Sequence, residues 1–280
     1  MSIESALAPT VELLHGAHMP RLGLGTGPLR GDEGARTVAE ALDAGYRLVD
    51  TAFAYGNEDA VGRGLKASGV PREDVFVTTK FNRPSHSVAG AHQAFADSAR
   101  LLGVDYVDLL MIHWPLPAYD HYVDAWRGLI ELLEKGDVRA IGMSNFKPVH
   151  IDRLLAETGV TPDVNQIQLN PSLTRVETRA YNAEHGIVTE SWSPLGSGSD
   201  LLTEPVITAL AERYHKTPGQ IVLRWHMELS LVAIPKSSSP QRLRANIDIF
   251  DFALSAADVD VISALDRGES AATDSDTAGH

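Results

Sequence analysis

Short apolar runs alternate with amphipathic stretches along almost the whole chain. Runs with strand character fall at 22–26, 47–51, 75–80, 107–113, 138–144, 164–169, 187–192 and 231–235. Between them lie helical patterns: residues 33–44 carry Val38, Ala41 and Leu42 at i, i+3, i+4, and residues 125–133 carry Leu129, Leu132 and Leu133 in the same way. VDLLMIH and RAIGMS are apolar nearly throughout, as strands covered on both faces are. This alternation predicts βα units around a parallel sheet, and eight of them predict a closed (β/α)8 TIM barrel. The opening segment VELLHGAHMPRLGLGT predicts a β-hairpin around His15-Gly16-Ala17, placed to cap the barrel floor. Gly196-Ser197-Gly198-Ser199 reads as a mobile loop. From about residue 267 the chain is small and polar, and that tail is expected to fray and add nothing to the core. Without a linker-like shift in composition, residues 1–280 are expected to form one barrel domain.

Composition narrows the function. A length of 280 residues suits one barrel of about 250 residues with trimmings. Hydrophobic residues at 44% against 22% charged allow a sizeable core and argue against disorder. With 24 Lys and Arg against 37 Asp and Glu, the net charge of −13 disfavours nucleic acid and anionic lipid as partners. Cys 0 excludes disulfides, thiolate nucleophiles and Cys-ligated metals. The start MSIESALAPTVEL lacks a basic stretch followed by an apolar one, and no apolar run reaches about 18 residues. The expectation is a soluble, cytoplasmic protein.

In a parallel barrel, reactive groups belong at the C-terminal ends of strands and in the loops that follow. Asp50 and Tyr55 lie at and just past the end of the second run, Lys80 ends the third and His113 ends the fourth. Each alone is ordinary, since a strand-ending Lys is usually solvated and a buried Tyr usually belongs to the core. Together they can meet at one mouth. A phenol with an ordinary pKa near 10 donates a proton poorly unless a cation stabilises its phenolate; Lys80 can supply that cation, and Asp50 can hold Lys80 charged. With His113 beside the phenol, such a site can polarise a carbonyl and protonate the alkoxide formed when hydride adds to carbon. His15 and His18 flank a turn without a third ligand, His86 and His92 receive no role, and no metal site is expected. The run Gly23-Leu24-Gly25-Thr26-Gly27 has Pro28 where a dinucleotide fingerprint needs glycine, so it reads as a strand end whose backbone can still approach a cofactor.

DTAFAYGNE from Asp50, LLGVDYVDLLMIHWP from Leu101 and IPKSSSPQRLRANIDIF from Ile234 resemble three signature regions of the aldo-keto reductases. GMSNF from Gly142, NQIQLNP from Asn165 and SWSPLG from Ser191 match further segments in the same order, so the resemblance covers nearly the whole chain. The short tail and Trp192 are similar to the bacterial branch that includes 2,5-diketo-D-gluconate reductase. The resemblance implies a carbonyl reductase with Tyr55 as general acid, Lys80 and Asp50 lowering its pKa, and His113 orienting the carbonyl. It implies NADPH as cofactor, with Ser144, Asn145 and Gln168 on the nicotinamide carboxamide and Trp192 stacked on the ring. Gly25, Thr26, Ser193 and Leu195 would also border the cofactor. Lys236, Ser237, Arg242 and Asn246 fall where the family grips the adenosine end, and the two cations suit a 2′-phosphate.

Two aromatic positions of relatives are replaced here by Gly27 and Asn82, which implies a wider, more polar substrate pocket. Phe53, Ala54, Phe81 and Trp114 are the expected remaining walls. Small aldehydes, diketones or sugar-derived carbonyls are the expected substrates, turned over by a monomer. A cofactor-binding module that signals to a partner protein is an alternative that an intact quartet argues against. A metal-dependent barrel hydrolase is another, but Thr26, Ser144, Gln168 and Trp192 at the strand ends are poor metal ligands.

Overall fold

The computed structural model describes residues 7–279; residues 1–6, part of the start expected to lack a signal-like pattern, and residue 280 lie outside the described residues. Apolar runs and amphipathic stretches become strands and helices in turn. A hairpin of β1 (Thr10–Glu12) and β2 (His18–Pro20) comes first. The alternating units are β3 (Leu24–Gly25), α1 (Gly31–Asp43), β4 (Leu48–Asp50), α2 (Glu58–Ser68), β5 (Phe76–Phe81), α3 (Val88–Leu102), β6 (Val107–Ile112) and α4 (Tyr122–Lys135). They continue through β7 (Val138–Ser144), α5 (Pro148–Thr158), β8 (Val164–Gln168), α6 (Val176–Glu184), β9 (Val188–Trp192), α7 (Pro205–Tyr214), α8 (Pro218–Glu228) and β10 (Val232–Ala233). Two further helices, α9 (Pro240–Ile247) and α10 (Ala256–Ser263), complete the set.

Strands β3 to β10 pair in parallel in sequence order. A parallel bridge between Leu22 and Ala233 closes the sheet into a (β/α)8 barrel. Its bonds run from Gly23 N to Ala233 O at 2.9 Å and from Ala233 N to Arg21 O at 3.0 Å. Gly25 is required at this seam, because a Cβ there would lie 2.8 Å from the Ile234 carbonyl oxygen.

Alternation along each strand sends one set of side chains inward and the other toward the helices. Inside, Leu48, Leu109, Met111 and Val232 pack with Leu13 and Met19 of the hairpin, which thereby plugs the barrel floor. Outside, α4 buries Trp126, Leu129 and Leu132 against the sheet, each fully buried side chain contributing about 1.5–3 kcal/mol. At the end of that helix Gly136 adopts φ +78°, a conformation that favours glycine. His15 is a floor tie rather than a ligand: its backbone N–H donates to Asp163 Oδ1 at 2.9 Å, and its ring Nδ1 lies 2.8 Å from Asp163 Oδ2.

The tail departs from expectation. Lys147 Nζ lies 2.6 Å from both Asp274 Oδ1 and Asp276 Oδ2, and Arg175 Nε lies 2.5 Å from Glu269. The Thr273 N–H donates to Gln168 Oε1 at 3.0 Å, Ser275 is buried, and Gly279 abuts Trp114. The tail's carboxylates meet cations from the loops after β7 and β8, so a segment without apolar period still packs on the mouth.

His86 and His226 are buried and held neutral, each pushed down to about 4 because burial penalises the imidazolium. Their folded values lie below the unfolded value of about 6.5, so this stability is fully present above pH 6.5 and is lost as pH falls toward 4. Neither ring nitrogen of His86 has a hydrogen-bond partner among the described residues. His86→Leu is therefore expected to flatten the fall of Tm between pH 6.5 and 4, by up to about 3 kcal/mol of pH-dependent stability. An unchanged slope would assign the acid loss to another group.

Candidate active site

Asp50 ends β4 and Lys80 lies one residue before the end of β5, both pointing inward and both buried. Lys80 Nζ donates to Asp50 Oδ1 at 2.6 Å, to Asp50 Oδ2 at 2.8 Å and to the Thr51 carbonyl at 2.9 Å. All three ammonium protons are thus engaged. Burial is the largest single influence and pulls Lys80 down, but the attraction of Asp50 and Tyr55 and the Asp50 hydrogen bonds together outweigh it, and the ammonium titrates above its usual value. Burial likewise raises Asp50, against the pull of Lys80.

Tyr55 closes a short 3-10 turn at 53–55 after β4, and its ring centroid lies 5.4 Å from Lys80 Nζ. The His113 ring stands edge-on to it with centroids 5.8 Å apart. Lys80 exerts the largest single pull on the phenol, toward phenolate. Burial and the Asp50 carboxylate, helped slightly by Glu190 wherever it is ionised, outweigh that pull, so Tyr55 titrates above its usual value. The phenol therefore keeps the proton it would donate, with Lys80 placed to stabilise the phenolate.

Asn57 locks the two loops that meet here. Its Nδ2 donates to the Thr26 and Leu29 carbonyls at 2.9 and 2.8 Å, and its Oδ1 accepts from Thr51 Oγ1 at 2.9 Å. Asn82 lies 3.1 Å from His113 Nδ1 through its Oδ1, so it acts on the histidine as well as on pocket polarity.

A cavity of about 560 Å³ opens above this cluster, within the range of small-molecule sites. Asp50, Tyr55 and His113 form its base, with Lys80 beneath. Gly25, Thr26 and Gly27 border one side; Ser144, Asn145 and Gln166 another; and Trp192, Ser193 and Leu195 a third. Trp114 and Lys236 also face it. Asn145, at φ +65°, accepts from Trp192 Nε1 at 2.8 Å and donates to the His113 carbonyl at 3.1 Å, which fixes the indole against the wall. Ser193 is also left-handed at φ +51°. A side chain at Gly27 would meet nothing within 4 Å, so the pocket is open at that point.

Several expected residues stand elsewhere. Gln168 lies one inward position above Gln166, under the tail, and does not border the cavity. Phe81 follows the inward Lys80, so it points outward and packs edge-on to His86 at 6.1 Å. Phe53 and Ala54 are exposed at the rim. Ser237, Arg242 and Asn246 lie beyond the cavity, at α9. There the Ser239 hydroxyl caps the helix by accepting from Arg242 N, and Arg242 Nε donates to Ser237 Oγ at 3.3 Å. A helix start with a guanidinium beside it, and Lys236 nearby, suits an anion.

Two floor residues went unread in the sequence. Gln166 Nε2 donates to Asp50 Oδ2 at 2.8 Å and to Glu190 Oε2 at 2.6 Å. Both its protons are used, so its carbonyl oxygen is what it offers to anything above. The inward parity of Trp192 on β9 was the available signal for Glu190, two residues earlier.

Residues 19–267 match the model of the Aldo/keto reductase family. A 2,5-diketo-D-gluconic acid reductase B of a Corynebacterium species is 48% identical over 96% of this chain and 97% of its own. A methylglyoxal reductase of Escherichia coli K12 is 46% identical over 97% of this chain and 98% of its own. Among solved structures, a Gox0644 variant in complex with NADPH is 40% identical, covers 98% of this chain and 100% of its own, and superposes with a TM-score of 0.93.

Proposed function

Since the chain belongs to the aldo-keto reductase family, we propose that it reduces small aldehydes, ketones and dicarbonyls, sugar-derived ones included, to alcohols with NADPH. The observation that carries this reading is the buried Asp50–Lys80 pair directly under the protonated Tyr55, beside His113, at the base of a 560 Å³ cavity. NADPH bound there would supply the hydride. His113 and Tyr55 would hold the substrate oxygen, Tyr55 would give it a proton, and Lys80 would stabilise the phenolate left behind. Reducing relatives of methylglyoxal and diketogluconate, together with the empty space beside Gly27, favour compact polar carbonyls.

The donor set fits the cofactor. The carbonyl oxygen of Gln166 suits the NH2 of a carboxamide, so Gln166 replaces Gln168 in this role, and the fixed Trp192 face suits the nicotinamide ring. Lys236 and Arg242 would take the 2′-phosphate, with Ser237 holding Arg242 in place. A cytoplasmic monomer remains part of the proposal; no helix among the described residues is long and apolar enough to cross a membrane.

Titration with NADPH and with NADH, followed by Trp fluorescence, tests the reading. Saturable quenching by NADPH is expected; no binding of either would sink it. Arg242→Ala is expected to weaken NADPH by about 1.5–3 kcal/mol and NADH hardly at all. Equal losses would move Arg242 away from the 2′-phosphate.

A further inference from the structure

The floor of the cavity holds more acid than the chemistry above requires. Asp50 and Glu190 are both buried, and one Gln166 amide group bridges them. Facing Glu190 are Asp50 from β4, Lys80 from β5 and, beyond them, Tyr55; β10 presents only Val232 and Ala233 opposite Glu190 and Ser191. Lys80 is the one cation among these groups. With both carboxylates ionised the cluster would carry a net negative charge without water to screen it, and with one neutral it carries none. The hydrogen bonds decide which one is neutral. Asp50 receives two bonds from Lys80 and one from Gln166, whereas Glu190 receives one from Gln166 and its Oε1 has no partner among the described residues.

We propose that Glu190 is a protonatable positioning residue: neutral in the resting protein, it sets the Gln166 amide and releases its proton to solvent when positive charge enters the cavity above. The inference rests on the nicotinamide lying against Gln166 and Trp192. The charge that distinguishes NADP+ from NADPH is that of the nicotinamide ring, the phosphates and adenosine being common to both. A cation above the floor stabilises Glu190 as carboxylate, its O–H bond breaking and the proton leaving to water. Burial raises the Glu190 carboxyl to about 8, so the neutral form dominates at pH 7. By linkage, NADP+ affinity relative to NADPH then rises with pH up to about 8, by at most about tenfold per pH unit.

Calorimetric titration of the full chain at pH 7, in two buffers of different ionisation enthalpy, counts the protons released. The expected result is a substantial fraction of a proton released with NADP+ beyond that with NADPH. Glu190→Gln, whose amide oxygen can still accept from Gln166, should still bind NADPH and show no difference; Tyr55→Phe should retain it. A difference that survives in Glu190→Gln, or none in the wild type while both cofactors bind, overturns the proposal. Absence of binding by either cofactor overturns the functional reading and the proposal with it. Should Glu190→Gln misfold, infrared difference spectra of the wild type decide: NADP+ must remove a protonated-carboxyl band that NADPH leaves, and an unchanged band overturns it.

Discussion

Tyr55→Phe is expected to lower kcat for carbonyl reduction by at least about a hundredfold, the lower end of what general acid catalysis contributes, while NADPH binds nearly as before. The phenol is the group that combines a retained proton, a cation placed to stabilise its conjugate base and a position on the cavity floor. Removing one oxygen leaves the ring, its edge contact with His113 and the fixed Trp192 wall in place. Steady-state kinetics with methylglyoxal, alongside a fluorescence titration with NADPH, separates the two effects. Turnover within tenfold of wild type would remove Tyr55 as the proton donor.

Lys80→Met is expected to destabilise the fold by about 3–5 kcal/mol, the usual result of stripping one partner from a buried ion pair. Asp50 would keep its Gln166 bond but lose both Lys80 bonds, with Glu190 on the far side of the same amide. At about 2–4 °C per kcal/mol, Tm should fall by roughly 10 °C. Pairing the change with Asp50→Asn should restore part of the loss, because neither position then holds an uncompensated charge. A double variant that melts below Lys80→Met would mean that packing around the stem, not charge, dominates at this position.

Much of this was legible in the chain. Eight apolar runs gave eight strands because in a closed parallel sheet both faces are buried, and His15-Gly16-Ala17 did fall in a hairpin turn at the floor. The meeting of Asp50, Tyr55, Lys80 and His113 was legible because strand ends in a barrel converge. Finer placement failed where the strand period repeats. Gln166 and Gln168 share a face, and a period of two does not say which lies at cavity depth. Phe81 and Glu190 were misplaced or missed although the parity of Lys80 and Trp192 already assigned them outward and inward. The tail failed for a different reason: Asp274 and Asp276 pair with Lys147, and Glu269 with Arg175, partners that no local pattern links.

The seam that closes the barrel joins Leu22 to Ala233, 211 positions apart (233 − 22). On a ribosome adding about 5–20 residues per second, the outer edge of β3 emerges roughly 10–40 s before its partner strand exists. Throughout that interval its N–H and C=O groups are an open template for another chain, a vulnerability that vanishes once β10 docks. The interval of synthesis is thus when this edge is most open to pairing with a wrong partner.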